Sequence, residues 1–366
     1  MSTGDPPTGT AVFLGDRSLE HRERQGYASA FRRLGWEVRW WPSEDADLQR
    51  YVRSRERAIV VHADHVAAPV PIDLTLVPAP TVAFQFDTFT YPDVRIRRSM
   101  LFDVVCCPHP GWPELYWASG HPGAMLAPHA IDDEVYRKLQ TRPSLDVGWV
   151  GGLEGRIYEG RRRLLPILAE RFAMNDWRRP VSPGEVGPLF ARSKIVVNIP
   201  RDDWRRDANL RVFEAMGAGA LLISPMPSEL TEIGLVEGVD FVGYRAEADV
   251  PAIVERYLQD EPARSRIAQS GRSRTLSDHS YVRRVEAILE RALAPNPHRA
   301  PARRWPQDAV AQVIIEQYLQ ERRWKSLAGP ARALFRRAGW RVGAAGWYLV
   351  SRQIARVTRI ATGAHV

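Results

Sequence analysis

The sequence predicts an α/β protein of two halves, each a parallel sheet covered by helices, followed by a helical extension at the C-terminus. Two observations carry that expectation. Short apolar runs bounded by Gly or Pro alternate with stretches of helical periodicity from Thr10 to Leu293. The chain of 366 residues, 45% hydrophobic and with 12 Trp, is also long and apolar enough for two independent cores.

Residues 1–10 are polar and rich in Gly and Pro, and an ordered start is not expected there. They lack a basic, then apolar, leader, so no signal peptide is expected. Thr10–Leu14 reads as the first strand and runs into Gly15-Asp16. A helix through Tyr27, Phe31 and Leu34 ends at Gly35, and Trp36–Trp41 is the next strand. Ala58–His65, Thr81–Phe86, Asp103–Pro108 and Gly123–Pro128 follow as short apolar strands. The Gly15 turn lacks the spacing of a dinucleotide fingerprint. Glu44–Asp47 has a DxD spacing, but it precedes the helical stretch Leu48–Arg55 and reads as a helix N-terminus. His62 and His65 stand at a strand–loop junction and point different ways, so no metal is expected from them.

A linker around Tyr136–Leu145 opens the second half. Asp146–Val150 is its first strand, followed by the turn Gly151-Gly152 and a helix over Arg161–Phe172. Further strands are expected at Ile195–Ile199, Ala220–Ile223 and Asp240–Gly243. The Pro-rich Ala294–Pro306 is a linker. The expected divisions are therefore 1–140, 141–295 and 296–366.

Charge excludes one function class. From Arg299 onward there are 13 Arg or Lys and 3 acids, a balance of +10; the total of +8 leaves the first 298 residues at −2. A near-neutral body is not that of a nucleic-acid binder. Cys106 and Cys107 are adjacent in an apolar run, which suits buried thiols in a reducing cytoplasm rather than a disulfide framework or metal site. The strong preference for Arg over Lys fits a GC-rich, bacterial genome.

The stretch Asp207–Ser224 is the most informative. Asp207 can cap a helix whose apolar positions are Leu210, Val212, Phe213 and Met216, and which stops at Gly217 and Gly219. Asp207, Arg211 and Glu214 at i, i+4 and i+7 then share one face. That face suits either a solvated Arg211–Glu214 pair or a ribose diol on the carboxylate, with a pyrophosphate at the helix start.

"NLRVFEAMGAGALLIS", within this stretch, resembles the nucleotide-sugar motif of GT-B glycosyltransferases, in particular the CgeB-like branch related to families 1 and 4. The resemblance extends over Asp146–Leu293 through "DVGWVGG", "ARSKIVVNIP", "EGVDFVGY" and "SGRSRTLSDHSYVRRVEAIL", in that order. It implies a GT-B fold, two Rossmann-like domains facing a cleft. It also implies transfer of a sugar from a nucleotide diphosphate sugar to an acceptor, here undetermined: lipid-linked, glycan or small molecule. Glu214 would contact the donor ribose. The family's second Glu, eight positions earlier, is replaced by Arg206, which leaves a catalytically silent glycan-binding or scaffolding module as the alternative.

Ligands of open parallel sheets bind beyond the carboxyl ends of the strands. There, Gly151 and Gly152 would admit a phosphate to the backbone, Arg156 and Arg161 would neutralise it, and Asn209 and Arg211 stand at the start of the next helix. Asp87, ending a first-half strand, is the expected catalytic acid or base, with Asp16 second. His129, ahead of Asp132, lines the cleft or makes a structural hydrogen bond. No cofactor beyond the donor and no metal are expected.

In the tail, Trp347, Val350, Ile354 and Val357 form an apolar stripe, with Arg352, Arg356 and Arg359 on another face. Ala331–Thr362 therefore reads either as an attachment to an anionic membrane surface or as a helix packed on the body. The expected location is cytoplasmic, peripheral at the inner face of the membrane if the tail attaches.

Overall fold

The computed structural model describes residues 8–15, 22–41, 47–64, 73–86, 92–139, 141–295 and 297–320. Asp16, Asp87, His65, Glu44 and the tail segment Ala331–Thr362 lie outside the described residues. The chain divides into two compact units. The first takes its described residues from within Met1–Glu20, Phe31–Leu126 and Ile288–Val366, and the second comprises His21–Ala30 and Ala127–Ala287. This division at Leu126 and Ala287 differs from the expected 140 and 295.

The chain runs through β1 (Gly9–Leu14), α1 (Arg22–Arg33), β2 (Trp36–Trp41), α2 (Leu48–Arg53), β3 (Ala58–Asp64) and β4 (Thr81–Gln85). It continues through α3 (Pro92–Ser99), β5 (Val104–Cys107), α4 (Trp112–Ala118), β6 (Ala124–Leu126) and α5 (Asp133–Arg137). The first unit's sheet has the order β2-β1-β3-β4-β5-β6, with every pair parallel. The inner strands β1, β4 and β5 are buried along their whole length, which is why they read as unbroken apolar runs. β2 lies at the edge and alternates more.

Phe13 of β1 stands edge-on to Phe31, with centroids 5.7 Å apart, and Phe31 meets Trp36 at 5.9 Å. Asp103, buried before β5, accepts the amide of Thr81 at 2.9 Å and that of Ala300 at 2.7 Å. Arg303 donates to the same carboxylate and to the carbonyls of Thr75 and Val77. The linker after residue 299 is thereby fastened to the first sheet, ahead of the last described helix.

The second unit contains β7 (Leu145–Gly148), α6 (Glu159–Arg171), α7 (Pro183–Ala191), β8 (Ser193–Val197), α8 (Leu210–Ala218), β9 (Leu221–Pro225), α9 (Glu229–Glu232) and β10 (Val242–Tyr244). After these come α10 (Val250–Gln259), α11 (Glu261–Asp278) and α12 (Tyr281–Ala292), which crosses back to the first unit, where α13 (Gln307–Gln320) follows. The parallel sheet has the order β10-β9-β8-β7. Apolar side chains fill both of its faces. Leu164, Leu165 and Leu168 of α6 pack on one side, and Val212, Phe213 and Met216 of α8 on the other.

Two details differ from the sequence reading. β8 begins two residues early and ends at Val197, which leaves Asn198 and Ile199 beyond the strand. The cap of α8 is Asn209, whose backbone is extended and whose side chain accepts from the Arg211 amide. Asp207 precedes the helix, so only Arg211 and Glu214 share a helical face. Glu214 is buried, which rules out the solvated-face reading for it. Among the described residues, no helix is long and apolar enough to cross a membrane.

Candidate functional site

The carboxyl ends of β7, β8 and β9 in the second unit gather most of the residues singled out in the sequence. β8 stops at Val197, and Asn198 follows it, buried. Its amide still donates to Ile223 of β9 at 2.8 Å, and its carbonyl accepts the Tyr244 hydroxyl at 3.0 Å. The Asn198 carboxamide donates to Ser224 Oγ at 3.1 Å and accepts from Asn209 Nδ2 at 3.0 Å. Asn209 in turn accepts the Arg211 amide at 3.2 Å. This chain of bonds fixes the start of α8 against the ends of two strands. A helix start, with its amino-terminal amides and dipole, suits an anion.

The loop 201–208 leads into that helix and is held by Glu229, which is buried. Glu229 Oε1 accepts the Trp204 indole at 2.9 Å, and Oε2 accepts the Ala208 amide at 3.0 Å. Arg206, in the position where the resembled family has its second Glu, pairs with Glu232. Asp202 accepts the Gly160 amide at the first turn of α6, so a carboxylate already satisfies that terminus.

The glycine turn after β7 is organised by arginines. Arg161, in the first turn of α6, is buried. Its Nε donates to the Ile199 carbonyl and its Nη1 to the Gly152 carbonyl, each at 2.8 Å. The guanidinium lies 4.1 Å from the centre of the Tyr158 ring and 5.8 Å from that of Trp149. Arg162 Nη1 takes the carbonyls of Leu153 and Gly155. With these carbonyls drawn towards side chains, the turn keeps its amides for other partners. Gly151 is required by space, since a Cβ there would stand 2.8 Å from the Trp149 ring and 3.3 Å from Arg161 Nη1. At Gly152 a Cβ would meet only the Tyr158 ring, at an ordinary contact distance of 3.7 Å.

Arg211 lines a small enclosed cavity with Val150 and Asn198, at the ends of β7 and β8. Burial and the neighbouring Arg211 charge pull the Arg161 pKa down to about 9, opposed by Tyr158, Asp207 and Asp202. Arg161 and Arg211 thus feel each other's charge near the ends of these strands. Arg156 is exposed at the start of a 3-10 turn and makes none of these contacts.

His129 makes a structural hydrogen bond: its Nδ1 lies 2.6 Å from Glu23 Oε1 in a buried pair. Asp132 caps α5 and accepts from Ser29. Phe213, next to Glu214 in α8, meets the His279 ring at 5.1 Å.

Sequence reasoning missed Asn198, Trp204, Tyr158 and Glu229. The first carried one signal, a polar residue closing the buried run "KIVV".

Residues 147–290 match a family described as glycosyl transferase-like. No curated protein matches the sequence. Solved structures resemble it at low identity. HepE from Anabaena in complex with UDP-glucose has 13% identity and a TM-score of 0.53, covering 77% of this chain and 98% of its own. Sucrose-phosphate synthase from Thermosynechococcus elongatus has 11% identity and a TM-score of 0.53, covering 78% and 98%. A glycosyltransferase from Rickettsia africae has 8% identity and a TM-score of 0.55, covering 78% and 99%. Residues 147–290 are thus similar to a glycosyl transferase-like family, within a chain of GT-B fold.

Proposed function

We propose that the protein is a glycosyltransferase whose donor is a nucleotide diphosphate sugar held by the second unit. The observation that carries this reading is the start of α8 tied to the end of β8 through Asn209 and Asn198, with Arg161 bonded to Ile199 just past that strand and to Gly152 of the glycine turn. HepE, similar in fold, holds UDP-glucose.

In the proposed reaction the bond between the anomeric carbon and the diphosphate oxygen breaks. The acceptor hydroxyl oxygen bonds to that carbon, and its proton passes to a base, for which Asp87 is the candidate and Asp16 the second. The charge gathering on the departing diphosphate is offset by Arg161, Arg211, the amides of Gly151 and Gly152 and the first turn of α8. Arg156 stands near enough in sequence to add a further cation. Glu214 accepts from the ribose. Arg206, paired with Glu232, is not the sugar-reading acid of the resembled family, so the donor sugar is read by other groups.

The test is nucleoside diphosphate release from a panel of sugar nucleotides, alongside thermal shift with the free nucleotides. A protein that neither binds any nucleoside diphosphate nor releases one is a silent module. Asp87→Asn is expected to depress turnover far more than donor affinity. Transfer is proposed to need no metal: activity survives EDTA, and loss on chelation restored by a divalent ion would overturn that. The tail segment 331–366 is proposed as a contact with anionic membrane, tested by flotation with anionic and neutral liposomes against a chain ending at Gly329.

A further inference from the structure

The first unit carries a second cavity whose chemistry the donor site does not use. It is shallow, about 450 Å³, and lined by Trp117, Gly120, Pro122 and Arg291. Trp117, near the end of α4, is 49% exposed, an unusual position for an indole. Its ring is not loose, because Nε1 donates to the Ala124 carbonyl at 3.0 Å and so fixes the plane while a face stays open.

Arg291, in the last turn of α12, is fixed to the same strip of backbone. Its Nη2 donates to the Pro122 carbonyl at 2.8 Å and reaches that of Ala124 at 3.4 Å. Both partners are neutral, and among the described residues no carboxylate pairs with this guanidinium. Gly120 leaves the floor of the cavity open, with no atom within 4 Å of where its Cβ would stand.

A fixed aromatic face beside a fixed, uncompensated cation is complementary to an apolar ring face that carries an anion on its rim. A sugar ring bearing a carboxylate has that form. We propose that this cavity binds an acidic saccharide, a uronate unit, of a polymeric acceptor. The ring would lie on Trp117, with the carboxylate on Arg291.

Gly120 and Pro122 precede β6, so the cavity sits at the amino end of that strand. The carboxyl ends of the strands, where ligands of open parallel sheets bind, are the opposite end of the same sheet. The bound unit is therefore distant from the reacting hydroxyl, which requires a chain rather than a single sugar. This step rests on the transferase reading only in calling the saccharide an acceptor.

The test uses the full chain without donor: titration with a polyuronate oligosaccharide and with a neutral glucan of similar length. Polyuronate is expected to bind and the glucan not. Arg291→Gln and Trp117→Ala are each expected to weaken polyuronate binding about tenfold, as truncating an anchoring Arg or Trp does. Thermal midpoints are compared with the parent, and Trp117→Tyr, which keeps an aromatic face, retains most of the binding. The basic chain could attract any polyanion, but Trp117→Ala changes no charge. Polyuronate binding that is unchanged in Trp117→Ala, equal binding of the glucan, or no polyuronate binding overturns the proposal. Nucleoside diphosphate binding is measured separately and decides the donor site, so either reading fails without the other.

Discussion

Asn209 donates its carboxamide to Asn198 Oδ1 over 3.0 Å while its own oxygen caps the Arg211 amide. One side chain thus closes α8 and ties it to the end of β8. Asn209→Ala is expected to cost about 1 kcal/mol of stability, the usual loss of a cap, in urea unfolding of the protein. Asn209→Asp keeps the cap acceptor but loses the donor to Asn198. It should hold stability better than the Ala variant while weakening nucleoside diphosphate binding, because a carboxylate then faces the anion position. Equal nucleotide affinity in the Asp variant and the parent would remove the start of α8 from the donor site.

Arg161 serves two purposes, holding the glycine turn and supplying charge. Arg161→Ala is expected to weaken a nucleoside diphosphate by about 1.5–3 kcal/mol, the scale of a charge-assisted hydrogen bond, and a nucleoside monophosphate by less. Calorimetry with the two nucleotides reads the difference. Arg161→Lys keeps the charge but not the fork that spans Ile199 and Gly152, and should recover only part of the loss.

Glu214 is buried on α8, and contact with the donor ribose is the role proposed for it. Glu214→Ala is expected to cost about 1.5–3 kcal/mol in nucleoside diphosphate affinity while the far-UV spectrum stays native. Pairing a ribonucleotide with its deoxy counterparts sharpens the reading. The parent discriminates between them, and the variant does not.

Strands β1, β4, β5 and β9 were legible in the sequence because each is buried on both faces, so its residues form one unbroken apolar run; β5, within Asp103–Pro108, is such a case. The start of α8 was not. Asp207 and Asn209 are both competent caps two residues apart, and local sequence does not choose between them. What decides is Glu229, which takes the Ala208 amide from 21 residues downstream and keeps Asp207 and Ala208 out of the helix. Trp204 was missed for the same reason, since its partner is also Glu229. The glycine turn was legible because Gly151 and Gly152 are adjacent just past a strand, whereas the ribose role of Glu214 is a proposal that came from the resemblance. The role of Arg161 as a clamp on Ile199 depends on a bond across 38 residues and was legible only as a charge.

His279 gives a pH prediction with a definite sign. Burial, then the Arg284 charge, pull its pKa down to about 3, and Arg284 Nη2 lies 2.7 Å from its Nδ1, so the folded protein holds the ring neutral. The unfolded chain protonates it below about 6.5. Between those two values the unfolded state binds one more proton, so this residue lowers stability as pH falls from about 6.5 towards 3, by up to about 1.4 kcal/mol per pH unit. His279→Gln is expected to flatten the acid limb of a stability–pH curve by that slope. An unaltered limb would mean that His279 is protonated in the folded state.

Asp103 is the last case, and it tests the fastening of the linker rather than the site. The carboxylate is buried and accepts from Thr81, Ala300 and Arg303. Asp103→Ala leaves the Arg303 guanidinium without its anion and the Ala300 amide without its acceptor, a loss on the order of 3–5 kcal/mol for a broken buried pair. Asp103→Asn has a single acceptor oxygen, which can keep the two Thr81 bonds but not that from Ala300, and should lose less than the Ala variant. Chemical unfolding monitored by tryptophan fluorescence measures both. Limited proteolysis should cut near residue 299 sooner in Asp103→Ala than in the parent, because the strap is released before the sheet opens. Nucleoside diphosphate affinity, a property assigned to the second unit, should remain that of the parent in both variants. A fall in that affinity equal to the fall in stability would show that the linker's attachment to the first sheet also supports the donor site.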